Sequence, residues 1–98
     1  MTIAKLEGAF TGTGASSPIA VAGGFNFRLA GTFVATVKLE RSFDDGTSWA
    51  VVSKNIDGQE AAYTAAVDAV GNEPEAGVTY RWNCTAFTSG QIDYRISQ

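Results

Sequence analysis

The chain has no histidine, and Cys84 is its one cysteine among 98 residues. Without histidine, Ser-His and Cys-His catalysis is excluded. With one cysteine, no internal disulfide can form. No apolar run approaches the ~20 residues that span a bilayer, so no membrane association is expected. The opening residues, MTIAKLEGAF, lack a basic start followed by a long apolar stretch. No signal peptide is therefore expected, and synthesis is expected in a cytoplasm. Basic charge is also scarce: 7 Lys and Arg stand against 10 Asp and Glu, for a net charge of −3. A nucleic-acid binder gathers its basic residues into a patch, and none is visible here. Between Lys54 and Arg81 there is no Lys or Arg, whereas Asp57, Glu60, Asp68, Glu73 and Glu75 all fall there. This stretch reads as a solvated acidic edge, or as a face for a basic partner.

What is present points to a small folded domain. The composition is 45% hydrophobic and 17% charged, which excludes disorder. A chain of 98 residues holds one domain and one core. The hydrophobic pattern is that of strands. In Thr32–Phe43, Val37, Leu39 and Arg41 share one face, while Thr36, Lys38, Glu40 and Ser42 share the other. That period of two marks a half-buried strand. In Val78–Phe87, Val78, Tyr80, Trp82, Cys84 and Ala86 face one way, and Thr79, Arg81, Asn83 and Thr85 the other. In Gln91–Ser97, Ile92, Tyr94 and Ile96 are expected inward. Further strands are expected at Thr2–Phe10, Ile19–Gly23, Phe25–Gly31, Thr47–Ser53 and Ala61–Val67. Thr11–Pro18 and Asp68–Gly77 read as loops, and Asp57-Gly58 as a turn.

Roughly seven or eight short strands with no room for crossover helices predict an all-β fold. The expected architecture is an antiparallel β-sandwich, immunoglobulin-like or jelly-roll. Residues 1–17 are expected as an N-terminal strand and flexible arm, and 18–98 as the sandwich.

The stretch RSFDDGTSW, Arg41 to Trp49, interrupts this pattern. It reads as a structural turn built on Asp44, Asp45, Gly46 and Trp49. Asp44 accepts backbone N–H bonds as Asx-turn residues do, and Gly46 supplies a positive φ. Trp49 is expected to fold back over the hairpin. The pattern Ser42-Phe43-Asp44-Asp45-Gly46-Thr47-Ser48-Trp49 resembles the Asp-box, a hairpin signature of sialidases and other β proteins. In sialidases the box recurs on several propeller blades, away from the catalytic centre. Here it occurs once, and a propeller needs roughly four or more blades. The resemblance therefore implies a hairpin and no sialidase chemistry.

Other chemistry finds little support. A glycosidase needs two carboxylates across a cleft, and no feature places a second one opposite Asp44 or Asp45. No cofactor is expected. Ca²⁺ is the one ion left open, on Asp44 and Asp45 with help from Asp57 or Glu73, although Ca²⁺ takes six to eight oxygens. Cys84, on the inward parity beside Trp82, reads as a buried inert thiol. Tyr63, Phe33 and Phe87 are the candidate exposed aromatics for a sugar platform.

The stretches Leu39 to Trp49, Tyr80-Arg81 and Ser89 to Ser97 are similar to small β-sandwich proteins of bacteriophage virions. That resemblance implies a non-enzymatic virion component. The leading expectation is a capsid decoration (cement) protein that binds the major capsid protein as a homo-oligomer or lattice-bound monomer. The alternative is a tail-tip or fibre-associated module that binds a carbohydrate or receptor. Lys38, Glu40, Arg81 and Arg95 are the candidate interface residues.

Overall fold

In the computed structural model, residues 5–52 and 60–98 are described. The fold is all-β and antiparallel. Its elements are β1 (Lys5–Phe10), β2 (Gly14–Ala15), β3 (Ile19–Ala30), β4 (Phe33–Ser42), β5 (Ala50–Val51), β6 (Ala62–Tyr63), β7 (Val67–Gly90) and β8 (Ile92–Ser97). They hydrogen-bond into one sheet in the order β1-β8-β3-β7-β4-β5, with β2 paired to β7 and β6 to β4. Here the ladder runs unbroken between the two flanks through β3 and β7.

Both linking strands turn a corner. Ile19–Val21 pairs with Val78–Tyr80, and Gly23–Leu29 pairs with Val67–Glu73, so Ala22 is opposed by the four residues from Pro74 to Gly77. This bulge accommodates the bend by lengthening one strand only. It also corrects two expectations. Ile19–Gly23 and Phe25–Gly31 belong to one strand, and Asp68–Gly77 is strand with a bulge, not a loop. Two further strands are shorter than expected: among the described residues of Thr47–Ser53 only Ala50–Val51 joins the ladder, and of Ala61–Val67 only Ala62–Tyr63 does before β7 begins. The Asp57-Gly58 turn lies outside the described residues.

The corner brings the flanks face to face. Phe27 of β3 meets Trp82 of β7 edge-on, with ring centroids 6.0 Å apart. The Trp82 indole N–H donates to the Arg95 carbonyl of β8 at 3.4 Å. Trp82, Val37, Val78, Ile92 and Ile96 are wholly buried. The period-two reading of β4, β7 and β8 located most of the core, but Ala86 is exposed, Tyr94 is only partly buried, and Glu40, Ser42 and Thr79, read on the outward face, are buried. Truncating a wholly buried Trp or Ile typically costs ~2–5 kcal/mol, so this face decides the fold.

The N-terminal segment is part of the sheet. β1 pairs with β8 over its full length, Lys5 opposite Ser97 and Phe10 opposite Ile92. Within the expected flexible arm, Ser16 is buried; its N–H donates to the Trp82 carbonyl at 2.8 Å, and its Oγ accepts from the Trp82 N–H at 3.0 Å. The Gly, Ser and Thr of Thr11–Pro18 favour a flexible loop. Ser16 instead satisfies a buried strand.

Candidate functional site

The Asp-box-like turn joins β4 to β5. Asp44 Oδ1 accepts from the Ser48 N–H at 2.8 Å and from Ser42 Oγ at 2.6 Å. Asp44 Oδ2 accepts from Ser48 Oγ at 2.5 Å. Ser42 Oγ in turn accepts from the Gly46 N–H at 2.9 Å. The hydrogen bonds from Ser42 and then Ser48 hold the Asp44 carboxyl down at about 2, from an ordinary 3.8. Gly46 has φ 89°, as the turn demands, and a Cβ there would meet the Trp49 ring at 3.6 Å, so Trp49 does fold back over it. Asp45 has φ 57°. Aspartate is among the few residues that tolerate this left-handed conformation, which explains a second Asp before the glycine.

Trp49 also covers the outer face of β7. The Arg81 guanidinium lies 4.2 Å from its ring centroid, a cation–π contact. Arg81 Nε donates to Glu40 Oε1 at 2.8 Å, and Asn83 Nδ2 to Glu40 Oε2 at 3.2 Å. Glu40 is buried. Three of the four candidate interface residues, Lys38, Glu40 and Arg81, lie together on this face, and Lys38 Nζ reaches Glu60 at 3.5 Å. Glu40, Arg81 and Asn83 form one hydrogen-bonded cluster, with the Lys38–Glu60 pair separate from it, and Lys38 and Arg81 stay partly exposed. Arg95 lies elsewhere, on β8, paired with Glu7 of β1.

A third cluster sits at the sheet's corner, and the sequence reading placed only part of it. Glu73 is 1% exposed. Its Oε1 accepts from Arg41 Nη1 at 2.8 Å and from the Tyr80 hydroxyl at 2.9 Å. Its Oε2 accepts from the Glu75 N–H at 3.0 Å. Burial pushes the Glu73 carboxyl up, but the bonds from Glu75, Tyr80 and Arg41 outweigh it, and the group titrates below its ordinary value. Burial, then the bond to Glu73, pushes the Tyr80 hydroxyl up to about 12. Glu73 is thus no part of a solvated acidic edge, and Lys38 neutralises Glu60 on that edge as well. A signal was present: Arg41 and Tyr80 share the inward parity of paired strands, and an inward arginine requires a buried acid.

Among the described residues, no group of three or more His, Cys, Asp or Glu side chains could hold a metal ion. For Ca²⁺ at the turn, Glu73 is occupied by Arg41 and Tyr80, and Asp57 lies outside the described residues. Cys84 is buried and donates to the Ala86 carbonyl at 3.4 Å, and burial pushes its thiol up. Tyr63, Phe33 and Phe87 are partly buried against the core instead of standing as free platforms. A groove of about 440 Å³ opens beside Phe25, Phe27, Tyr63 and Tyr80. No helix among the described residues is long and apolar enough to cross a membrane. No family model, curated protein or solved structure matches the chain.

Proposed function

We propose that this is a non-enzymatic docking module, and that it serves as a bacteriophage capsid decoration protein. The observation that carries the non-catalytic part is the commitment of the three carboxylates in the turn, the β4–β7 face and the corner. Asp44, Glu40 and Glu73 each accept two or more side-chain or backbone hydrogen bonds from within the chain. A general acid or base needs a group free to exchange a proton with substrate. These three are committed to holding a turn, a cluster and a corner. The decoration role rests on the resemblance of Leu39–Trp49, Tyr80-Arg81 and Ser89–Ser97 to virion proteins. Those residues lie on β4, on its sheet neighbour β7, on β8 beyond β3, and on the turn that Trp49 closes. A rigid module of this size stabilises a shell by repeated small contacts, through mass action and avidity. Quantitative mass spectrometry of particles purified from the source organism or its phage tests the reading. Hundreds of copies per particle are expected. A few copies would move the protein to the tail or portal axis, and absence from particles would overturn the virion role.

The aromatic groove favours a second reading, a tail-tip module that binds a carbohydrate or receptor. Trp82 lies 6.0 Å from the rings of both Phe27 and Tyr63, which line that groove. A bound sugar would change tryptophan fluorescence. An unchanged spectrum across a broad glycan panel would remove this alternative.

A further inference from the structure

The exposed face of β1, β8, β3 and the start of β7 carries an arrangement that the docking proposal does not use. The register places Glu7 opposite Arg95, Arg95 opposite Arg28, and Arg28 opposite Asp68. One row across four strands therefore reads acid, base, base, acid. Like charges directly opposite one another destabilise a sheet, so two adjacent arginines need a reason. The outer carboxylates answer them unequally. Glu7 pairs closely with Arg95. Asp68 stands 3.9 Å from Arg28, too far for a hydrogen bond. Arg28 makes no hydrogen bond to any described residue, and its side chain is 56% exposed.

The neighbouring row is small. Ala9 lies opposite Asp93, and Asp93 opposite Ala30. These residues leave a shallow depression of about 600 Å³ beside both guanidiniums. On the other side of the charged row, Val70 is 77% exposed. The face thus combines an arginine with unused donors, room for a ligand above it, and an apolar contact nearby. Glu7, Asp68 and Asp93 around the rim would repel a polyacidic tract.

The geometry points to this face as a docking site for an extended segment of a partner protein. That segment carries a single Asp or Glu, whose carboxylate bridges Arg28 and Arg95, beside an apolar residue that covers Val70. A planar guanidinium fork matches a carboxylate in two parallel bonds, which a lysine could not do. The inference rests on the docking reading and names the chemistry of the partner.

The test is an NMR titration of the full chain with a short blocked peptide holding one glutamate and one leucine. Saturable shifts are expected at the Ala9 and Ala30 amides and at the Nε–Hε groups of Arg28 and Arg95. Replacing the peptide's glutamate by glutamine, or Arg28→Gln in the protein, should weaken binding about tenfold or more. Arg28 is exposed and faces Arg95, so R28Q should melt no lower than the parent. As a second variant, Asp68→Asn removes the competing carboxylate and should tighten binding. No saturable shift, equal binding of the glutamine peptide, or tighter binding of a short oligonucleotide at this face would overturn the assignment. The peptide result is independent of particle composition, so this inference and the virion reading fail separately.

Discussion

Arg41 and Glu73 stand 32 positions apart in the chain and meet at 2.8 Å at the corner where the sheet folds over. The pair joins β4 to the residue at which β7 begins its bulge. Its carboxylate also holds the Glu75 N–H, so one buried acid fixes both the strand and the start of the protruding segment.

Removing one partner should cost more than removing both. Arg41→Met leaves the Glu73 charge buried with only Tyr80 and Glu75 as donors. Breaking a fully buried pair costs ~3–5 kcal/mol. Here the Arg41 side chain is 35% exposed and water reaches one side of the pair, so about 2–3 kcal/mol is expected. The double variant Arg41→Met/Glu73→Leu should recover much of that loss. Urea unfolding of the two single variants and the double variant measures the coupling, and additive losses would contradict it.

Acid should loosen the Asp44 turn. The folded carboxyl titrates at about 2, below its ordinary 3.8, so it binds protons more weakly folded than unfolded. The stabilisation is therefore present above 3.8 and disappears as pH falls through about 2. Glu73 is shifted the same way and adds to the trend. Melting temperature followed from pH 5 down to pH 2 should fall, and Asp44→Asn should flatten the slope. A parallel decline in parent and variant would show that Asp44 contributes nothing to it.

These two sites show what was legible in the residues. The turn was, because Asp44, Gly46 and Trp49 act within six positions and their spacing is set by local backbone geometry. The core faces of β4, β7 and β8 were legible too, because alternation reports burial directly. The corner was not. Glu73 sits among acids and beside Pro74, and that composition marks loops. Its burial depends on the register that brings Arg41 and Tyr80 beside it. The joining of the two flanks into one sheet was hidden for the same reason, since Gly23-Gly24 and Pro74–Gly77 look like strand ends when read singly. Arg81 was read as an exposed charge because nothing local reveals that Trp49 lies over it.

Cys84 should be chemically silent in the native state. It is buried, and its thiol is pushed up by that burial, so little thiolate forms near neutral pH. A colourimetric thiol reagent should label it slowly under native conditions and stoichiometrically in denaturant. Fast native labelling would mean that the flanks separate readily at β7.

Two glycines with positive φ should differ in cost for a reason that geometry fixes. At Gly46, a Cβ would meet only the Trp49 ring at an ordinary 3.6 Å, so the penalty of Gly46→Val is backbone strain, about 1–2 kcal/mol. Gly90 has φ 97° and lies where the β7–β8 turn packs against the β3–β4 turn. There Gln91 N–H donates to the Thr32 carbonyl at 3.3 Å, and a Cβ on residue 90 would lie 2.7 Å from Phe33 Cα. Backbone cannot rotate away as a side chain can. Even the smallest change, Gly90→Ala, should therefore add overpacking of ~1–3 kcal/mol to the same strain and exceed the loss at Gly46. Thermal melts of the two variants rank them directly. A smaller loss for Gly90→Ala would mean that the two turns are not packed together as described.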